Sequence, residues 1–302
     1  MYKSEVHGKG GISAKCVAKS SSFVEGVPDL VTLELRYPRF IHSEIMTHRM
    51  FSRNASSSRA IPVKKMLEQV ADSPAMPIHW GKNQPGMQAG EERTNLIGFD
   101  NKYTPLEWWK VASEEACNFA KDFEIGGYHK QIVNRLLEPF QFISVVVTAT
   151  EWDNFFDLRL HPDAQPEIQE LARCMKEAID TATAEVILKP YRHLPYVPNT
   201  ENIPATDGEF YDWDTAIKAS VARCARVSYL NHDKTSPELE KDVKLHDMLL
   251  SAGHMSPFEH VAHPMEQPYH GPLRSKGITH MDSKGHMWSG NLRGWVQYRQ
   301  EI

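Results

Sequence analysis

Along "LVTLELRY", Leu33 and Leu35 alternate with Glu34 and Arg36. That two-residue period is the pattern of a strand with one buried face. Pro38 interrupts it, and "RFIHSEIMTHRMF" then reads as a short helix with Phe40, Ile41, Ile45 and Met46 on roughly one side. "SRNASSSRAIP" reads as a loop, because Ser and Asn side chains compete for backbone partners. Pro62 suits the first turn of a following helix. "TPLEWWKVASEEACNFAKDFEIGG" predicts a helix ending at Gly126 and Gly127, with a further helical piece in "YHKQIVNRLLEP". "FQFISVVVTATEW" is the clearest strand, dense in Val and Thr. "DNFFDLRL" reads as helical. Ile168, Leu171, Met175 and Ala178 recur at helical spacing in the clearest helix of the chain. "DTAIKASVARCARVSYL" predicts a helix passing into a strand or turn. "SPELEKDVKLHDMLLSAG" predicts another helix, with Ser236 as cap, Pro237 in the first turn, Glu240 near the capping-box position and Gly253 as the stop. "MSPFEHVAHPMEQP" reads as a turn and a strand.

Three stretches lack a period. Residues 73–103 are broken by Pro, Gly and Asn, and are expected to form an ordered surface loop over a site. "PYRHLPYVPNTENIP" is proline-rich and reads as a connection between residues 1–190 and 191–302, two parts of one folded unit. "HGKGG" reads as a flexible turn.

Composition narrows the classes. The 302 residues are 41% hydrophobic and 24% charged, with a formal net charge of -5, so bulk charge does not point to a nucleic acid polymer. No run approaches the ~18 apolar residues of a membrane span, and "MYKSEVHGKGG" has no apolar core like that of a signal peptide. Cys16, Cys117, Cys174 and Cys224 are scattered without a CxxC pair, against a structural zinc site or a disulfide framework. A reduced, cytoplasmic setting is the default. HExxH, GxSxG, GxGxxG and GxxxxGK[ST] are all missing from the sequence. No metal is expected. His254, His260 and His263 are read as parts of a structural block, and Trp108 and Trp109 as core residues on a helix face rather than a stacking platform.

Residues 47–62, "THRMFSRNASSSRAIP", are crowded with donors. His48, Arg49, Ser52, Asn54, Ser57 and Arg59 resemble the signature of flavin-dependent thymidylate synthases, Arg-His-Arg-x-x-Ser-x-Asn-x-x-Ser-x-Arg. Every specified position but the first is present. "NRLLEPFQFISVVVTATEWDNFFDLRLHPDAQPEIQELA" resembles the family's second block. "ARVSY" at 225–229 and "GHMSPFEH" at 253–260 are similar to two more. These last two normally precede the signature, so the motif order here resembles a circular permutation, and "LRGWVQYRQ" is similar to the segment that usually joins Ser-Pro-Phe-Glu-His to the signature.

The resemblance implies an α+β fold with an antiparallel-rich sheet and packed helices. It implies an enzyme that uses FAD, with NADPH and methylenetetrahydrofolate as co-substrates, to transfer a one-carbon unit to C5 of dUMP, in a homotetramer with shared sites. Related C5 methyl or hydroxymethyl transfer on dUMP or dCMP, or a non-catalytic nucleotide-binding relative, are the alternatives. By the same resemblance Ser57, Arg59 and Arg135 hold the nucleotide, Arg being suited to phosphate by its bidentate fork. Arg159 binds the pyrimidine edge and stabilises its developing charge. Thr47, His48, Arg49, Asn154 and Ser256 lie at the flavin. The plainer readings pair Arg135 with Glu138 or Glu124, and Arg159 with Asp157 or Asp163.

Four positions depart from the family. Thr47 replaces an arginine, Ala55 a glutamate and Glu44 a nucleotide-facing glutamine, while Gln131 or Ile132 stands where a glutamate is common. Arg53, or Arg293 and Arg299, compensates for Thr47, or the ligand differs. A carboxylate at Glu44 accepts from a cytosine amine better than from a uracil carbonyl.

Overall fold

The computed structural model describes residues 4–88, 90–188, 190–197, 213–227, 238–266 and 276–302. Its strands are β1 (Glu5–His7), β2 (Ser13–Ser22), β3 (Leu30–Pro38), β4 (Ser52–Ala55), β5 (Phe142–Ala149), β6 (Glu185–Ile187), β7 (Ala262–Pro264), β8 (His280–Met281), β9 (Met287–Ser289), β10 (Leu292–Arg293) and β11 (Trp295–Gln297). The helices are α1 (His42–Ile45), α2 (Val63–Asp72), α3 (Pro105–Ile125), α4 (Lys130–Val133), α5 (Asp153–Arg159), α6 (Pro166–Thr181), α7 (Trp213–Arg226) and α8 (Leu239–Ser251).

A six-stranded sheet of order β1-β2-β3-β5-β4 forms the centre, antiparallel throughout except for β6, which adds to β2 in parallel. The fold is thus the expected α+β one. Among the described residues, no helix is long and apolar enough to cross a membrane.

The two faces of this sheet differ in chemistry. On one, Val31, Leu33, Leu35 and Tyr37 of β3 lie beside Ala149, Val147, Val145 and Ile143 of β5. They pack against Ile168, Leu171, Met175 and Ala178 of α6 and Phe155 of α5. On the other, Thr32 pairs in register with Thr148, and Thr148 with Ser52. There a buried chain of hydrogen bonds crosses the strands. Ser20 Oγ meets His193 Nδ1 at 2.8 Å, His193 Nε2 meets Thr32 Oγ1 at 2.7 Å, Thr32 meets Thr148 at 2.6 Å, and Thr148 meets His260 Nδ1 at 2.8 Å. His260 Nε2 is buried without a partner.

Several elements differ from the sequence reading. The stretch read wholly as a loop contains β4, whose backbone completes the ladder on the edge of β5 although its side chains are polar or small. The helix expected over "RFIHSEIMTHRMF" is a 3-10 turn, Arg39–Ile41, plus the single turn of α1. It goes no further because Arg53 Nη1 donates to the carbonyls of Ile45, Met46 and His48 at 3.4, 2.8 and 3.3 Å. That guanidinium takes over acceptors that another helical turn would use. β2 is the longest strand, and nothing in the hydrophobic pattern marked it. Its residues buried against α6 are only Ala14 and Cys16. The "HGKGG" segment is a 3-10 turn between β1 and β2.

His193, inside the proline-rich stretch read as a connection, is fully buried and its N–H bonds to Ala262 O at 2.8 Å. That part of the stretch is core, not tether. The start of α8 has Glu238 at the cap position with no side-chain bond to the helix backbone, its carboxylate pairing with Lys241 instead, while Ser236, Pro237 and the end of "ARVSY" lie outside the described residues. The other helices stand where they were expected. Thr104 and Glu107 close a capping box on α3. In the 73–103 loop, bridges join Gly81 to Glu92 and Ile97 to Tyr103, and Trp80 packs edge-on against Trp109. Trp108 packs on Phe99 and Tyr103.

Candidate active site

The signature follows α1, turns through residues 47–51, runs along β4 and continues to Arg59. Thr47 is exposed, and its hydroxyl donates to Glu44 O at 2.6 Å, closing the helix end on itself. Glu44 is half-buried on α1 and accepts from Ser43 Oγ at 2.9 Å. Next in the turn, His48 packs edge-to-face on Phe155, with ring centroids 4.8 Å apart.

Arg159, the last residue of α5, donates from Nε to His48 Nε2 at 2.9 Å. Neither Asp157 nor Asp163 takes it; Asp163 pairs with His161 instead. A guanidinium N–H needs a lone pair, so Nε2 is bare and the neutral ring carries its proton on Nδ1. Burial, then the charges of Arg159 and Arg53, push the His48 pKa down to about 4. His48 is therefore a neutral donor at ordinary pH, oriented by Arg159 and Phe155.

On β4, Asn54 Oδ1 accepts from Ser256 Oγ at 2.7 Å, joining the signature to the 3-10 turn Ser256–Glu259 of the Ser-Pro-Phe-Glu-His block. Asn54 Nδ2 is buried and unpartnered. Such a donor costs about 1–3 kcal/mol unless a ligand takes it. Phe258, fully buried between His246 and Tyr298, anchors the turn. The block is at once packing and site.

Beyond β4, Ser57 and Arg59 are exposed, and Arg59 has no ion-pair partner among the described residues. Ser58, between them, is buried and donates to Glu138 Oε1 at 3.0 Å. The same oxygen accepts from Arg135 Nη1 at 2.8 Å and Arg39 Nη2 at 2.9 Å. The plainer pairing of Arg135 is thus present, yet its side chain stays 53% exposed. Asn134 Nδ2 ties this corner together by donating to Ser58 O and Ile61 O, at 2.7 and 3.0 Å.

Of the residues picked from the sequence, the structure joins His48 to Arg159 and Asn54 to Ser256, and places Arg135 one carboxylate away from Ser58. Arg49 is exposed in the turn after His48, and Asn154 is exposed on the first turn of α5. All three arginines suggested as substitutes at Thr47 have internal partners. Arg53 serves carbonyls, Arg293 Nε bonds Glu151 Oε1 at 2.5 Å, and Arg299 pairs with Glu259.

Residues that the sequence reading passed over are Ser58 and Asn291; Glu138 was read only as a pairing partner of Arg135, and Gln297 only as part of the tail segment. Asn291 Nδ2 donates to Met50 O at 2.8 Å, while Ser52 Oγ and Gln297 Nε2 donate to Asn291 Oδ1 at 3.1 and 2.7 Å.

Residues 30–183 match the model of a family described as thymidylate synthase complementing protein. No curated protein matches the chain. Among solved structures, it is similar to a UMP/dUMP methylase PolB from Streptomyces cacaoi bound with 5-Br UMP, at 17% identity and a TM-score of 0.41, over 58% of this chain and 91% of that one. The same methylase bound with 5-Br dUMP gives 17% identity and a TM-score of 0.43, over 58% and 92%. The family match runs from β3 through α6, half of the chain, and encloses the signature, Arg135 and Arg159. With these residues gathered around one sheet edge, the chain belongs to the thymidylate synthase complementing protein family, that of the flavin-dependent thymidylate synthases, and is a thymidylate synthase-like methyltransferase.

Proposed function

We propose that the protein uses FAD to transfer a one-carbon unit from methylenetetrahydrofolate to C5 of dUMP, giving dTMP, with NADPH as reductant. The observation that carries this reading is the bond between His48 and Arg159, which comes from two separate blocks of the family pattern. The donor set fits a flavin. Asn54 Nδ2 is a buried donor awaiting an acceptor, His48 offers Nδ1–H, and Arg49 adds an exposed cation. A flavin ring edge and a pyrophosphate are rich in acceptors and negative charge. When bound, reduced FAD supplies the hydride that completes the methyl group.

The chain's own groups do the rest. Arg159 spends Nε on His48, leaving its terminal amines for the pyrimidine edge, where negative charge grows as C5 attacks. Arg59 and Arg135 neutralise the phosphate, with Ser57 adding a hydroxyl. On this reading, Arg135 exchanges part of its bond to Glu138 for the phosphate.

Glu44 favours a second reading, in which the base is cytosine and the product carries a methyl or hydroxymethyl group. A homotetramer is supported by exposed Phe119, Phe123 and Ile125 on α3 and by Tyr128 and Ile132 beyond it; light scattering on the FAD-loaded protein checks it. The deciding experiment adds FAD, NADPH and methylenetetrahydrofolate, then dUMP or dCMP, follows the flavin absorbance and weighs the product. Failure to bind FAD overturns the proposal, and product mass separates the two readings. Arg159→Ala should cut single-turnover flavin oxidation roughly a hundredfold on a folded protein. Arg159→Lys should recover only part, lacking the planar fork. Near-normal turnover in Arg159→Ala would remove Arg159 from the chemistry.

A further inference from the structure

The turn that carries His48 and Arg49 has only one helical turn before it and an edge strand after it. Neither fixes it strongly. From within, Arg53 holds the carbonyls at its start, those of Ile45 and Met46, and reaches His48 O. From outside, Phe155 and Arg159 hold the His48 ring and Phe51 is buried against Trp152 and Phe155, while the backbone at the far end is taken by donation from Asn291 Nδ2 to Met50 O at 2.8 Å.

Asn291 sits in the short link between β9 and β10, and its amide is fully directed. Oδ1 accepts from Ser52 Oγ and from Gln297 Nε2, so the amide cannot flip without facing donors with donors. Gln297 Nε2 also reaches Ser52 Oγ at 3.2 Å, closing a ring of three polar side chains, two of them buried to 1% exposure. Gly290 makes room for it. Its φ is 58°, and a Cβ there would stand 2.4 Å from Gln297 Oε1.

The platform beneath this ring is rigid. Trp295 is fully buried and donates from Nε1 to Pro28 O at 2.9 Å. Arg293 N–H bonds Thr150 Oγ1 at 3.1 Å, while its side chain bonds Glu151 at the end of β5. Gln297 N–H bonds buried Ser289 Oγ at 3.0 Å. The hairpin is thus fastened to the sheet on its own account, and Asn291 projects from it to the turn.

We propose that Asn291 is a positioning residue for the site: through the Met50 carbonyl it fixes the turn that presents His48 and Arg49. Ser52 and Gln297 hold the Asn291 amide in the orientation that leaves Nδ2 for that carbonyl. Its link to flavin affinity rests on the flavin reading of the turn, whereas the pin itself does not.

Asn291→Asp separates the roles. The carboxylate keeps both acceptor functions toward Ser52 and Gln297, but has no N–H for Met50 O and repels it. Hydrogen exchange on the ligand-free full chain is measured by peptide, together with FAD affinity and melting temperature. In Asn291→Asp, exchange over residues 46–51 should speed up about tenfold, the loss of one hydrogen bond, with β3 and β5 unchanged. FAD affinity should fall by about the same factor. Asn291→Ala should do the same with a larger fall in melting temperature, since Ser52 and Gln297 also lose a partner. Unchanged exchange over 46–51 in a folded Asn291→Asp protein overturns the proposal. So does an increase spread evenly through β3–β5, which marks general loosening. Should the unaltered protein take up no FAD, the flavin reading fails, and the exchange result alone upholds or overturns the pin.

Discussion

On one face of the sheet Leu33, Leu35, Val145 and Val147 meet Ile168, Leu171 and Met175; on the other Thr32 and Thr148 meet His193 and His260. Both faces are fully buried, but they hold in different ways. The first is non-directional, and its stabilisation scales with the apolar area removed from water. The second depends on direction. If His260 Nδ1–H donates to Thr148, then Thr148 donates to Thr32, Thr32 to His193 Nε2, and His193 Nδ1–H to Ser20. That assignment leaves only a lone pair on His260 Nε2 unmatched. The reverse assignment buries an unmatched N–H there. Each group's role fixes its neighbour's, so the chain succeeds or fails as a unit. The polar face is also the one on which Ser52 and Asn54 lie in register with Thr148 and Val146. The site therefore draws on both sides: Ser52 and Asn54 from the directional one, His48 and Arg159 from the edge of the aliphatic one, where His48 packs on Phe155.

The aliphatic face should show the largest single loss. Leu171→Ala should cost roughly 2–5 kcal/mol, from lost transfer energy plus the cavity, and Leu171→Met under about 1.5 kcal/mol. Chemical denaturation reads both, and equal costs would deny that volume governs this face. Next is Thr148→Val, which keeps the shape and removes the hydroxyl between Thr32 and His260. It should cost about 1–3 kcal/mol. Adding Thr32→Val should cost clearly less than Thr32→Val alone, because the chain is already broken. Strict additivity would show the bonds to be independent.

A pH effect of similar size also belongs to the polar face. Burial is the main cause that lowers His193 and His260 to about 3, from an ordinary 6.5; the charge of His260 also lowers His193. Between those values the unfolded chain binds protons that the folded chain refuses, so stability is full above pH 6.5 and falls as pH drops toward 3. Down to about pH 4.5 carboxylates contribute little, since they protonate lower. His260→Gln should flatten the fall of stability over pH 6.5 to 4.5. An unchanged slope would mean His260 is not the neutral end of the chain. The smallest effect concerns Arg53, the charged exception in register with Val147 on the aliphatic side. Arg53→Lys should cost only about 1 kcal/mol in global stability, the scale of a net hydrogen bond, yet raise hydrogen exchange at residues 46–48.

The aliphatic face was legible because it repeats. β3 and α6 carry periods of two and of three to four, and β5 a dense run of Val and Thr, that any window reveals. The polar face has no period. Thr32 sits in a run that reads as strand either way, and His193 lies between prolines in what reads as a connection. β2 and β4 were missed because small or polar residues satisfy the ladder through backbone atoms, which leave no mark on hydropathy. In the site, the signature itself and the position of Arg159 were readable. The use of Arg53 was not, since a carbonyl partner has no sequence signature. Nor were Asn291 and Gln297, which meet Ser52 from more than two hundred residues away in the chain.

That distance has a consequence for the order in which the molecule is made. Asn291 follows Ser52 by 239 residues. A ribosome adding about 5–20 residues per second finishes the signature well before the side chain that pins it exists. Through that interval β3, β4 and β5 can pair, α6 can cover the aliphatic face, and His48 and Phe51 can dock on Phe155, while the Met50 carbonyl still lacks its side-chain donor. The aliphatic half can be folded while the ribosome is still working, but the Met50 carbonyl receives its partner only once the β9–β10 link has been synthesised and has closed over it.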